Sequence, residues 1–434
     1  MMKENSYIPV SKVARASKFV GTGFKVGSNY LKYSIKKIAN PDLDKEQLHE
    51  DNAKDIYESL AILKGSALKV TQMLSMDRGL LPRAYRDTFA MAQYSAPPLS
   101  GPLVVKTFQS EFGQSPSVLF DAFDIKASYA ASIGQVHIAQ KYGKKLAVKI
   151  QYPGVANSIH ADLKMVKPIA LAMFSLNEKD VDRYMKEVEC KLIEETNYEQ
   201  EMQYANQITN AFKDFNGIVF PNYYPELSTQ KILTMDWLNG MHLRDFLESN
   251  PSQEIKNLVG QRLWDFYEYQ IHEMRMVHAD PHPGNFLIQE DGTLGIIDFG
   301  CVKVIPDSFY VPYFTLLDTS VLKEKEKAMK IFEDLEFIHP TDSKQEKNEY
   351  FDLFTSMIEL LARPFQSNQF DFANSSYMNE IYQMAEELKE NEKIRHSKHA
   401  RGSQHGLYIN RTYFGLYTLL HELGSTIQIK KELA

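Results

Sequence analysis

Cysteine is nearly absent. The 434 residues contain two, Cys190 and Cys301, too few for a disulfide framework, and neither sits in a zinc-binding spacing. A reduced cytoplasmic compartment is therefore the default expectation. Long apolar runs are also missing. The longest, Ile169 to Leu176, is far short of the ~20 residues a helix needs to cross a bilayer, so no transmembrane helix is expected. The N-terminus lacks the apolar core of a secretory signal. No strong basic excess is present either: the net charge is −7, which argues against a general nucleic-acid partner. What remains is the composition of an ordinary globular protein, 44% hydrophobic and 24% charged. The length suits two or three domains, or one large catalytic fold with an extension.

The charge is unevenly placed. Residues 1–40 hold eight Lys/Arg and one acid, Glu4, a net of +7, so the remaining chain carries −14. This stretch mixes basic residues with Phe19, Phe24, Tyr30, Leu31 and Tyr33. It reads either as a surface-lying arm or as an ordinary solvated terminus. Gly21, Gly23 and Gly27 are expected to weaken any single long helix there.

From Asp55 to Met76 the residues Ile56, Leu60, Leu63, Ala67, Val70 and Leu74 follow helical spacing. Pro82, Pro97 and Pro98 then punctuate the chain. Residues 101–150 read as a short helix followed by strands, and 180–213 as one long helix. Strands are expected at Ile218–Phe220 and Ile232–Trp237. After Gly240 the pattern is mostly helical, interrupted by a hairpin whose turn is Glu290-Asp291-Gly292; Asp-Gly between apolar runs is a strong hairpin pattern. The boundaries expected are a basic arm and helical extension over 1–100, a β-rich lobe over 101–238 and a helical lobe over 239–434. The class is α+β, with the layout of a two-lobed protein-kinase-like fold and an N-terminal helical extension.

The sharpest chemistry lies in His278-Ala-Asp280-Pro-His-Pro-Gly-Asn285, followed by Asp298-Phe-Gly300. Asp280 and Asn285 have the D-x4-N spacing of a kinase catalytic loop, and Asp298 opens a D-F-G across one hairpin. An Asn oxygen and an Asp carboxylate suit magnesium, which takes oxygen ligands, so Asn285 and Asp298 are the candidate metal residues. Asp280 is then the base facing the acceptor hydroxyl. A zinc reading of His278 and His282 fails, because Pro281 between them and Pro283 after them forbid the helix that i, i+4 ligands require. His278 is expected beneath the loop as a structural residue.

Phosphoryl transfer also needs a cation on the phosphates. Leu146-Ala-Val-Lys149 matches the lysine strand V-A-I-K. Lys149 needs a carboxylate partner, and Glu195 falls on the apolar stripe of the helix over 180–213, where an unpaired carboxylate is unfavourable. Glu195 is the expected partner, with Glu199 and Glu201 as fallbacks. Met235, Trp237 and Leu238, at the end of the last small-lobe strand, are expected to present backbone groups to adenine.

Three kinase features are missing. No G-x-G-x-x-G precedes Lys149; the stretch Ser128-Tyr-Ala130-Ala131-Ser132-Ile-Gly-Gln-Val-His137 stands there instead. Alanine has less φ/ψ freedom than glycine, so this loop should be stiffer, with Ser132 offering a hydroxyl to phosphate. Ala279 replaces the Arg of H-R-D, and no A-P-E follows Asp298. These absences count against an ordinary protein kinase.

Over roughly residues 55–300 the chain resembles the UbiB-like (AarF/UbiB) atypical kinases. Lys64-Gly-Ser-Ala-Leu-Lys69-Val-Thr-Gln72-Met-Leu-Ser75 looks like the family's K-x-G-Q segment, and Ala130 to His137 like its alanine-rich loop. Ala147 to Gly154 is similar to its lysine strand, and the Asp280, Asn285 and Asp298 loops to its catalytic and metal loops. Thr71 stands where the family has Gly, and Asn197 where an E-x-D pair would place Asp after Glu195. The resemblance implies ATP or ADP with Mg2+ as cofactors, and a helix that packs Lys69 and Gln72 over the active site. It also implies ATPase activity, support of isoprenoid-quinone or lipid metabolism at a membrane, and a peripheral location there. Anionic or isoprenoid lipids reached by the basic arm are the partners it suggests, with the acceptor unnamed. Two other classes stand beside this reading: a nucleotide-binding scaffold without useful turnover, and a small-molecule phosphotransferase of the aminoglycoside-kinase type, which shares D-x4-N.

Overall fold

A computed structural model of the chain describes residues 12–40, 44–63, 85, 88, 99–130, 133–174, 178–391, 397, 399 and 401–429. The chain divides into two units. Unit 1 takes residues 1–202 and 222–237, and unit 2 takes 203–221 and 238–434.

Unit 1 begins with helix α1, Lys12–Ala39, and helix α2, Glu46–Leu63. Three glycines cost a helix roughly 1 kcal/mol each relative to alanine, yet α1 runs unbroken through Gly21, Gly23 and Gly27. Tertiary contacts overrule the local cost. Thr22 and Asn29 are buried, and the Asn29 amide donates to Asn52 Oδ1 at 3.1 Å and to Asp55 Oδ2 at 2.9 Å. Helix α2 starts nine residues earlier than the spacing from Asp55 suggested.

Helices α3, Gly101–Phe112, and α4, Pro116–Leu119, lead into the sheet. Its strands are β1, Ala122–Phe123; β2, Tyr129–Ala130; β3, Gly134–Lys141; β4, Lys144–Gln151; and β6, Ile232–Asp236. The order is β1-β3-β4-β6, with β2 also on β3, and every pair is antiparallel. Phe108, Phe120, Leu146, Val148, Ile150 and Ile232 form the core beneath it. His137 is part of that core. Burial holds its pKa down, so the neutral ring donates through Nδ1 to Asp124 O and accepts from Gln135 at Nε2.

Helix α5, Val155–Phe174, follows β4, and α6 spans Glu178–Glu195. The single helix expected over 180–213 is in fact two, because α7 starts afresh at Tyr198 and ends at Ala211. The break at Thr196-Asn197 has a local cause. Asn197 Oδ1 accepts from the Gln200 N–H at 3.2 Å, which is an N-cap bond, and Asn is among the residues that best stop one helix and start another.

Unit 2 is mainly helical. Its first strand is β5, Ile218–Val219, and α8, Leu243–Glu248, and α9, Gln253–His272, follow. Next come β7, Met276–His278; β8, Phe286–Ile288; β9, Leu294–Ile296; and β10, Val302–Val304. Strands β8 and β9 form the expected hairpin, and β5 joins β9 in parallel. The turn needs its glycine, since Gly292 sits at φ 81°. Strand β7 pairs with β10. The unit continues through α10, Asp307–Thr315; α11, Lys325–Asp334; α12, Lys344–Leu361; β11, Gln369–Asp371; α13, Ser375–Glu390; α14, Gln404–Leu423; and β12, Thr426–Gln428. Strands β11 and β12 pair. The fold class is the kinase-like α+β one expected. Among the described residues no helix is long and apolar enough to cross a membrane.

Candidate active site

In unit 1 the ladder fixes Lys149. It sits in β4 opposite Val136 of β3 and Leu233 of β6, with apolar neighbours Val148 and Ile150 buried. Lys149 is 9% exposed, a degree of burial that demands a partner for its charge. The partner is Glu201 of α7, 3% exposed, whose two oxygens lie 2.9 and 3.1 Å from Lys149 Nζ. The pairing expected for Glu195 is thus made by Glu201. Glu195 ends α6 before the Asn197 cap, so the helical phase that put it on the inner stripe does not continue into α7. The cap itself was the overlooked sequence feature: Asn197 followed three residues later by Gln200 is a helix-start pattern.

Tyr198, the first residue of α7, is fully buried, and its ring lies 5.0 Å from Lys149 Nζ. Across from it the chain enters β3 at Gly134, where a Cβ would stand 2.6 Å from Ile150 O and 2.9 Å from the Tyr198 hydroxyl. Only glycine allows this approach. Ala130 lies in β2, paired with Gln135. Ala131, Ser132, Lys69, Gln72 and Thr71 lie outside the described residues.

At the strand end two backbone donors are already engaged. Met235 is buried in the β4–β6 ladder. The Asp236 N–H donates to Asn222 O and the Trp237 N–H to Lys145 O, so neither donor is left for a base. Trp237 instead presents a ring, stacked on Tyr129 at 6.2 Å with Lys145 Nζ 4.1 Å from its centroid. Leu238 belongs to unit 2, where its Cδ1 faces Gly295.

In unit 2 the 278–285 loop leaves β7 from a fully buried His278. The His278 N–H donates to Gln270 Oε1 at 2.9 Å, and its ring packs among Tyr267, Phe286 and Phe299. Burial, and then the Asp280 charge, push the Tyr267 hydroxyl well above its ordinary pKa. It therefore stays protonated, and it shares a hydrogen bond of 3.3 Å with His278 Nδ1. His278 is a core residue.

The loop closes on itself. His282 N–H donates to Asp280 O at 2.7 Å, and the Asn285 amide donates to the same oxygen at 2.9 Å. That donation fixes Asn285 Nδ2 toward the loop and leaves Oδ1 as the amide's acceptor. Beyond the hairpin, Asp298 Oδ1 accepts from the Gly300 N–H at 2.9 Å. Asp280, Asn285 and Asp298 are all half-buried. Two of them, an amide oxygen and a carboxylate, are the hard oxygen donors magnesium takes, with phosphate oxygens and water completing its shell.

One residue at this loop was not foreseen. Arg411 of α14 places Nη2 3.4 Å from Asp280 Oδ1. Four residues on, Gly415 lets α14 close on the loop, since a Cβ there would stand 2.2 Å from Pro281 Cγ. Arg411 thus stands beside the aspartate whose usual neighbouring arginine is here Ala279. A separation of 131 residues from Asp280 leaves no local pattern by which to find it.

The ABC1 atypical kinase-like domain matches residues 91–332. The chain is 27% identical over 381 residues to the zebrafish protein named Atypical kinase COQ8B, mitochondrial, covering 85% of this chain and 60% of that one. It is 27% identical over 389 residues to Atypical kinase COQ8, mitochondrial, of Saccharomyces cerevisiae, covering 87% of this chain and 76% of that one. Among solved structures it is similar to Rv3197 of Mycobacterium tuberculosis, determined in complex with erythromycin, with a TM-score of 0.58 and 24% identity. The match covers 88% of this chain and 94% of that one.

Proposed function

This chain belongs to the ABC1 atypical kinase-like family, and from that premise we propose that it is an ATP- and magnesium-dependent phosphoryl-transfer enzyme, a kinase or ATPase of the UbiB-like type. The observation that carries this is the buried Lys149–Glu201 pair. A lysine held at 9% exposure in a central strand by one carboxylate is the cation that kinases use to orient nucleotide phosphates. Asp280 is proposed to take or position the proton of the attacking hydroxyl or water, and Arg411 to hold Asp280 in place. Asn285 and Asp298 would hold magnesium, which when bound neutralises charge on the transferring phosphoryl group. Ser132 and the Ala130–Ala131 backbone are proposed to border the phosphates. Lys69 and Gln72 are proposed to restrict access for a folded protein substrate. The pathway we propose is isoprenoid-quinone or lipid metabolism at a membrane surface, in keeping with the mitochondrial COQ8 names of two relatives.

Phosphate release from ATP by the purified chain tests the reading. Lys149→Met should lower the rate by about 10²–10³, as expected on removing one preorganised charge from a transferring group. Wild-type protein with no magnesium-dependent release, or a Lys149→Met variant as fast as wild type, overturns it in favour of a nucleotide-binding scaffold.

A further inference from the structure

Tyr129 and Trp237 keep two large rings outside the core of unit 1. Tyr129 is 55% exposed and Trp237 is half-buried. The rings stack at 6.2 Å with 30° between their planes. Lys145 Nζ stands 4.1 Å from the Trp237 centroid, close enough to hold the indole by cation–π attraction. The register puts this group on the Lys149 face of the sheet. Directly opposed residues of antiparallel strands project to the same side, and Tyr129 opposes Val136, which in turn opposes Lys149. Lys145 lies on that side too, because alternate residues of a strand share a face. The other side, through Leu146, Val148 and Ile150, packs into the core. Lys145 and Lys149 are four residues apart, about 13 Å of strand, a distance of the order that separates a nucleotide's base from its outer phosphates. Trp237 stands at the Lys145 end of that span, where its N–H donates to Lys145 O.

Hydrogen bonding decides how a base would be recognised there. The Asp236 and Trp237 N–H groups are taken by Asn222 O and Lys145 O, so those two donors do not read a base edge. What this end of the sheet offers is aromatic surface. Stacking accepts any base, because every base has a π-face, whereas strong discrimination takes hydrogen bonds to groups that one substrate has and its rival lacks.

We propose that Trp237, with Tyr129 beside it, is the platform on which the nucleotide base stacks, and that the site therefore takes GTP nearly as well as ATP. The inference rests on the proposed function, in which Lys149 holds the phosphates, and deepens it by naming what holds the base and how little that contact discriminates.

The test is equilibrium dialysis of the full chain with magnesium and ATP, GTP or inorganic tripolyphosphate. Wild type should bind ATP and GTP within about tenfold of each other, and tripolyphosphate more weakly than either. Trp237→Ala should weaken both nucleotides about ten- to a hundredfold, the scale of losing one stacked base, and leave tripolyphosphate binding where it was. Trp237→Phe keeps a π-face and should recover most of the affinity; Tyr129→Ser should act in the direction of Trp237→Ala by less. Fluorescence gives a second readout. The chain has two tryptophans, and Trp264 is only 2% exposed, so ATP should quench wild-type emission through Trp237 and leave that of Trp237→Phe unmoved. Wild-type ATP affinity in Trp237→Ala, an equal loss for tripolyphosphate, ATP binding without quenching, or a wild-type preference for ATP well beyond tenfold overturns the proposal. Nucleotide binding that follows the expected pattern with no phosphate release overturns the proposed function alone, and absence of wild-type nucleotide binding overturns both.

Discussion

The candidate site residues of the two units are held in opposite ways. In unit 1, Lys149 and Glu201 are deeply buried and joined by two bonds of 2.9 and 3.1 Å. In unit 2, Asp280, Asn285 and Asp298 are half-buried: the Asn285 amide and the Asp298 carboxylate bond to backbone atoms of their own loops, and the Asp280 carboxylate lies 3.4 Å from Arg411 Nη2. The difference fits two separate tasks. A cation that must sit at one position for every phosphate is best fixed in advance by packing and by a carboxylate. Oxygen ligands that must close around a metal and its substrate are better left accessible on short, self-bonded loops. The cost also differs. A buried pair is strongly destabilising when only one partner is removed, whereas loop carboxylates at half exposure are replaced with little change in stability.

The largest effect should come from the loop. Asp280→Asn should lower phosphate release by about 10³ or more, the scale of losing both proton transfer and its electrostatics, with an unchanged melting temperature. A variant that melts well below wild type would show the loop to be structural and break the contrast.

The buried pair should behave the other way. Glu201→Leu strands a buried lysine and should cost about 3–5 kcal/mol, read by denaturant unfolding. Adding Lys149→Met to that variant should restore much of the stability and none of the turnover. Glu195→Gln should do neither, and a Glu195→Gln loss matching that of Glu201→Leu would reinstate Glu195 as the partner.

These outcomes bear on how much the sequence disclosed. The hairpin was legible because Asp291-Gly292 admits few other turns, and the Asp280, Asn285 and Asp298 loops because spacing and order carry them. Lys149 was legible from its strand. Glu201 was legible only as a fallback to Glu195, because periodicity was carried across 180–213 as if no cap intervened, and Asn197 resets the phase. Helix α1 was judged by its glycines, a local cost, when contacts from α2 decide it. Arg411 meets Asp280 only through tertiary folding.

Arg411→Gln should sharpen the loop's side of the comparison. It should lower kcat about tenfold, ~1.4 kcal/mol, with little change in KM, because the charge steadies Asp280. Partial rescue by Arg411→Lys would mark a charge effect. No change in kcat would make the 3.4 Å contact incidental.

The smallest effect separates burial from catalysis. Arg401 and Asp342 of unit 2, both half-buried as residues, form another ion pair, at 2.5 and 2.9 Å, with side chains 8% and 3% exposed. Burial acts against the Asp342 charge, but the Arg401 guanidinium and the His339 N–H outweigh it and hold the carboxyl below its ordinary value. A folded-state pKa below the unfolded one stabilises above the unfolded value, about 3.9 for Asp, and the contribution is lost as pH falls through the folded value. Arg401→Met should therefore cost about 2 kcal/mol at pH 7, less as the carboxyl protonates in acid, and leave phosphate release unchanged. A penalty that grows in acid would reverse the sign of the coupling.

The most direct measurement of the central claim is the shift in melting temperature that ATP produces with and without magnesium, for wild type and for Asp298→Asn. The account predicts that magnesium enlarges the wild-type shift and that Asp298→Asn loses the magnesium-dependent part while melting normally without ligand. An Asp298→Asn protein that keeps the full magnesium-dependent shift would contradict it.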